Sequence, residues 1–160
     1  MVMVKQILLT LMLLASTPAL LAQRKPDGRV SNARLIGSVN KVADSCGCYF
    51  RSAKEHENSQ RYVFFEDGSQ GLVLMNIGGQ SVRLRLVSST EPPGGVSRNG
   101  ERFIRRYASG ATRIRMDFVA TSVCPGPYDR ECLGNSYKVK LTAIKGAQKQ
   151  TIKVVGGCSC

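Results

Sequence analysis

Beyond about residue 60 the chain alternates apolar and charged positions with a period of two. Over residues 81–88, Val82, Leu84 and Leu86 fall on one side of an extended chain and Arg83 and Arg85 on the other. The same alternation sets Ile114, Met116 and Phe118 against Arg113 and Arg115, Val139 and Leu141 against Lys138 and Lys140, and Ile152 and Val154 against Lys153. A two-residue period is the signature of strands with one buried face. The pattern predicts strands over residues 35–42, 46–52, 61–66, 71–77, 81–88, 102–108, 112–123, 136–144 and 151–155, and no helix. Asp67-Gly68, Gly78-Gly79, Ser109-Gly110 and Lys145-Gly146 supply residues that tolerate the positive φ of hairpin turns. Sequential pairing is then the default, and the expected fold is all-β: a small antiparallel sandwich or partly closed barrel, meander-like and stapled by disulfides. Two connections, 91–101 and 124–134, are long enough to hold binding residues.

The start of the chain changes the compartment. Lys5 precedes an apolar run over residues 7–14, broken by Ser16, Thr17 and Pro18 before Ala19 and Ala22. That run is too short to span a bilayer and reads as a cleaved signal peptide, residues 1–22, with Ala19 as the alternative cut. Residues 23–38 are polar and read as a flexible lead-in, and 39–160 as one β domain without a transmembrane segment. Export, periplasmic or extracellular, fits the even count of cysteines, Cys46, Cys48, Cys124, Cys132, Cys158 and Cys160. Cys46-Gly47-Cys48 and Cys158-Ser159-Cys160 each present two sulfurs on one face of a strand. Antiparallel pairing can set Cys46 opposite Cys160 and Cys48 opposite Cys158, parallel pairing would join Cys46 to Cys158, and Cys124 and Cys132 bridge locally by proximity. Two sharper uses stand beside this structural one: four thiolates holding Cu(I) or zinc, and a strained Cys46–Cys48 ring that exchanges disulfides.

Charge changes the surface. The 23 basic and 11 acidic residues give +12, and loss of Lys5 with the leader leaves 22 − 11 = +11. On the predicted strands the outward positions are dominated by cations, and residues 102–108 add Arg102, Arg105 and Arg106, with Ile104 on the face of Arg102 and Arg106. Neighbouring like charges destabilise a sheet, which points to a use for them. The expected anion-binding set is Arg83, Arg85, Arg106, Arg113, Arg115, Lys138, Lys140 and Lys153, offered to anionic polysaccharide, lipid headgroups or an acidic protein. Nucleic acid is disfavoured, because exposed aromatics that would stack on bases are not evident. The acids Glu55, Glu57, Glu66 and Asp67 gather in sequence around His56, the single histidine, which reads as a solvated loop residue.

Catalysis is not expected. No Gly-x-Ser-x-Gly elbow accompanies His56, no carboxylate pair is placed across a cleft, and no phosphate-cradling glycine loop opens a helix. No metal or cofactor is expected. Size, leader, strands and disulfides resemble the small exported β-barrel inhibitors of bacterial origin that act on lysozyme. That family presents Ser-Gly-x-x-Tyr, whereas Ser109-Gly110 is followed here by Ala111, Thr112 and Arg113, and a strongly basic chain would repel a basic lysozyme, so no family is assigned. The expectation is a non-enzymatic exported domain that binds anionic envelope or extracellular material. The alternatives are a protein-binding inhibitor or assembly factor acting through the two long loops, and a thiol or soft-metal site at the C-x-C pairs.

Overall fold

The computed structural model describes residues 34–39, 46–56, 59–125 and 132–159. The chain divides into two units, Met1–Ser31 and Asn32–Cys160. The first, with the predicted leader, lies outside the described residues. Within the second are strands β1 (Ile36–Gly37), β2 (Gly47–Ser52), β3 (Tyr62–Asp67), β4 (Leu72–Ile77), β5 (Gln80–Ser89), β6 (Arg102–Ser109), β7 (Thr112–Ser122), β8 (Gly134–Lys145) and β9 (Gln148–Ser159). Each of β2 to β9 pairs antiparallel with the next, and β9 returns to pair with β2. The meander is thus an eight-stranded barrel closed on itself, with β1 added beside the end of β4. Closure removes the two edges that an open sheet of this length would expose.

Inward positions fill the barrel. Phe50, Phe64, Met75, Tyr107, Met116, Phe118 and Leu141 are buried, most of them completely. Phe103 stacks on Phe118 with ring centroids 4.3 Å apart, and Tyr137 meets both rings edge-on at 5.7 and 5.6 Å. Offset stacks and edge-to-face contacts of this kind add to the area that the rings bury. One end of the barrel is covered by residues 35–37. Leu35 and Ile36 are buried, the Ile36 N–H donates to Gln150 Oε1 at 2.9 Å, and the Gly78 N–H donates to the Leu35 carbonyl at 2.7 Å. Leu35 and Ile36, which fall within the lead-in expected over 23–38, are therefore fastened to the barrel, because two large apolar side chains have a core to enter.

The closing pair β2–β9 carries its own devices. Gly156 stands between Phe50 on β2 and Tyr137 on β8, both inward and buried. A Cβ on Gly156 would lie 1.8 Å from the Tyr49 carbonyl oxygen, and one on Gly157 would lie 2.6 Å from that of Asn135. The two glycines let the last strand approach both neighbours. Cys48 lies opposite Cys158 and is bonded to it, as the antiparallel reading of the C-x-C units anticipates. Cys124 and Cys132 form the expected local bridge. Cys46 is exposed and without a disulfide partner among the described residues, while Cys160 lies outside them. Disulfides of this kind point to an oxidising compartment.

Several boundaries differ from the alternation. The strand expected over 35–42 is reduced to β1 and an isolated bridge between Val39 and Tyr62, with 40–42 outside the described residues. The one expected over 151–155 runs to Gln148–Ser159, because the Gly156-Gly157 pair that looks like a breaker is a packing device. In the turn after β3 the positive φ falls on Gly71 (61°), four residues beyond Asp67, whose carboxylate instead accepts from the backbone N–H groups of Ser69 and Gln70.

Two stability outcomes follow from the closing pair. Gly156→Val should lower the unfolding free energy by about 1–3 kcal/mol in urea titration, the usual range for overpacking. Loss of the Cys48–Cys158 link, whose ends are 110 residues apart, should cost about 5 kcal/mol by loop entropy, read from oxidised wild type against Cys48→Ala/Cys158→Ala.

Candidate functional site

Across an antiparallel sheet, residues directly opposite one another share a face. Outward rows can therefore be read from register. One row runs Arg85, Ala108, Arg113, Ile144, Lys149 from β5 to β9. The next holds Ser88, Arg106, Arg115, Thr142 and Thr151, and the third Ile104, Asp117, Lys140 and Lys153. The long side chains leave an open groove of about 720 Å³ between them, lined by Arg85, Arg106, Arg113, Arg115, Lys140 and Lys149 against a single carboxylate, Asp117. A second depression of about 510 Å³ adjoins it through Asp117 and Lys140 and adds Lys138 and Lys153.

Seven of the eight cations expected from sequence thus line one continuous outer face. Arg83 is the exception. It is exposed, but lies opposite Leu74 on β4 and lines neither depression. Lys149 belongs to the groove and is missing from the expected set, because β9 begins three residues earlier than its apolar alternation suggests.

The cations of the groove are not equivalent. Arg115 is paired with Asp117 through Nη2 at 2.7 Å and Nε at 2.9 Å, and that carboxylate raises the guanidinium above its ordinary pKa. Arg113 folds back so that Nη1 donates to the carbonyls of Gly110 and Thr112 in the β6–β7 turn. Arg106 reaches Ser88 Oγ at 3.5 Å. Arg85, Lys140 and Lys149 have no ion-pair partner among the described residues.

Arg105 departs from the basic face altogether. Its neighbours Phe103 and Tyr107 point inward, and so does Arg105, opposite the buried Met116. Inside the barrel its Nη1 donates to Glu66 at 2.9 Å and its Nη2 to Glu91 at 2.5 Å. The guanidinium also lies 5.5 Å from the ring centroids of both Phe103 and Phe118. Burial alone would pull Arg105 down, but Tyr107, Glu91 and Glu66 together hold it above its ordinary value. The Tyr107 hydroxyl donates to Glu66 Oε2 at 3.2 Å; burial, then the Glu66 charge, push its pKa well above that of a free tyrosine, against the opposing pull of Arg105.

This network fixes two expectations differently from the sequence. The acids near His56 do not form one patch: Glu66 turns into the barrel, Asp67 is buried against its own turn, and Glu57 lies outside the described residues. His56 itself is exposed, and Glu55 accepts from Ser59 Oγ at 3.3 Å. The 91–101 connection is a fastened cover. Glu91 is held by Arg105, Val96 is buried in the core, and Gly100 and Glu101 exchange backbone hydrogen bonds with Ala120. Because Cys48 and Cys158 are bonded to each other, this structure contains neither a Cys46–Cys48 ring nor a set of four thiolates. No group of three metal-ligating side chains occurs among the described residues.

No known protein family matches the chain, and no curated protein or solved structure matches it.

The raised pKa of Tyr107 has a signed consequence. The neutral phenol is favoured in the barrel, so its contribution is complete below about pH 10, the ordinary tyrosine value, and is lost as pH climbs through the raised one. Urea unfolding between about pH 9 and 11 should show stability falling with pH, and less steeply in Tyr107→Phe.

Proposed function

We propose that this chain is a non-enzymatic exported domain that binds anionic envelope or extracellular material on the outer face of β5 to β9. The observation that carries this reading is the groove where Arg85, Arg106, Arg113, Arg115, Lys140 and Lys149 converge around Asp117 alone, a local excess of 6 − 1 = +5. Cations held on adjacent strands of a closed barrel cannot scatter, so the sheet bears their mutual repulsion until counterions or an anionic ligand relieve it. Arg85, Lys140 and Lys149 supply charge that no described carboxylate takes up. Arginine adds the planar donor fork suited to phosphate, sulfate and carboxylate.

The reading of protein-binding loops has less to draw on, because residues 91–101 spend Glu91 and Val96 on the barrel itself and residues 126–131 of the other connection lie outside the described residues. A thiol or metal role at the C-x-C pairs would first require the Cys48–Cys158 bond to open.

Dextran sulfate is a suitable probe. Wild type should bind it with an affinity that falls as salt rises, and Arg85→Glu/Arg106→Glu/Lys140→Glu should bind at least about tenfold more weakly with a flatter salt dependence. Equal binding by the two proteins, or no salt-sensitive binding by wild type, would remove the basic face as the binding site.

A further inference from the structure

Two outward rows of the basic face share a composition that the charge alone does not require. In the first, cations and aliphatic or small apolar residues alternate from strand to strand: Arg85, Ala108, Arg113, Ile144, Lys149. The other, six residues further along β7, repeats the order: Arg102, Val119, Lys138, Val155, Arg51. With neighbouring strands about 4.8 Å apart, cations in each row are spaced by about 10 Å and an apolar side chain fills every gap. Separating like charges explains a spacer, but not an aliphatic one. Between these rows Thr142 and Thr151 occupy outward positions with their hydroxyls 3.0 Å apart, so polar spacers are compatible with the same sheet.

The aliphatic spacers are open to contact. Ile144 is 38% exposed and lines the groove, as does Val87, 54% exposed, which the register shift in β5 leaves without a cross-strand partner. Val119 and Val155 are half-buried and, with Ala53, form the apolar floor of the second depression, ringed by Lys138, Lys140 and Lys153. A wholly hydrophilic polyanion would gain nothing from those floors.

We infer that the anionic material bound by this face is a lipid surface: phosphate headgroups meet the arginines and lysines while Ile144, Val119 and Val155 settle at the boundary between headgroups and acyl chains. The inference rests on the basic-face reading above and narrows it to one ligand class. Lysine and arginine suit that position because their aliphatic stems lie along apolar surface while the charged ends stay among the phosphates. Charged residues run through the middle of β7, β8 and β9 on the outward side, where a membrane-spanning barrel would carry an apolar band. The face therefore lies on a bilayer instead of crossing it.

Co-sedimentation with vesicles of phosphatidylglycerol in phosphatidylcholine, compared with phosphatidylcholine alone and with soluble dextran sulfate, tests this. Wild type should sediment only with the anionic vesicles. Val119→Thr/Ile144→Thr keeps β-branched side chains and full charge; it should lose about fivefold or more in vesicle affinity while dextran sulfate affinity changes by less than about twofold. Thermal melts of both proteins check the fold, and Val119→Ser in an otherwise native chain is the second variant if the double one melts early. Binding of dextran sulfate without vesicle binding would overturn the lipid assignment and leave the basic face standing. Vesicle binding that Val119→Thr/Ile144→Thr leaves unchanged would also overturn it, as would equal losses on both ligands. Binding of neither ligand by wild type would remove the lipid assignment and the basic-face reading together.

Discussion

Pairing of β2 with β9 is the contact on which the rest of this structure depends. Every other pair of neighbours in the barrel is consecutive in sequence and could form as a hairpin; this one joins strands about a hundred residues apart. Without it, the same meander is an open sheet with two bare edges and a row of aromatic rings facing solvent. With it, Phe50 crosses from the first barrel strand to meet Phe118 and Tyr137 from the far side, and the interior has no open flank there. Gly156, Gly157 and the Cys48–Cys158 bond all lie along this one pair. A large share of the unusual local chemistry thus serves closure.

Closure also sorts the charges. Once inside and outside are defined, a cation on an inward position must find partners or be excluded, and Arg105 finds two carboxylates and two aromatic faces. An outward cation meets water and needs none. The acidic residues are spent unevenly as a result: Glu66 and Glu91 are consumed inside, Asp67 in a turn, and Asp117 alone is left in the basic groove. The outer face of β5 to β9 gives up one cation, Arg105, to the interior and keeps Asp117 as the single carboxylate of its groove.

Most of the architecture was legible from period two and the turn glycines; Cys48–Cys158 is the antiparallel one of the two pairings that the C-x-C units admit, and Cys124–Cys132 is the bridge that proximity suggests. The choice of a closed barrel over a sandwich was not legible, since it depends on whether the last strand meets the first. Arg105 was misassigned to the surface by its charge, although its parity with Phe103 and Tyr107 places it inside; Glu66 shares the parity of Phe64 and carries the same lesson. Parity is a property of the backbone and outranks residue type when an interior polar partner exists. Leu35 and Ile36 fall where the expected lead-in over 23–38 and the expected strand over 35–42 overlap, and the partners that decide between them, Gly78 and Gln150, are distant in sequence. Lys149 escaped notice because nothing in its immediate neighbours, Gln148 and Gln150, signals a strand.

The long-range link has a kinetic meaning as well. A chain built of consecutive hairpins has low contact order and should assemble quickly, but the final docking of β9 on β2 must gather a loop of about a hundred residues, the slow kind of step. A Cys48–Cys158 bond that survives unfolding holds those two strands together in the disordered chain. For the oxidised protein a contact between strands 110 residues apart becomes a local one, and what remains to be formed in the barrel is a set of neighbouring hairpins.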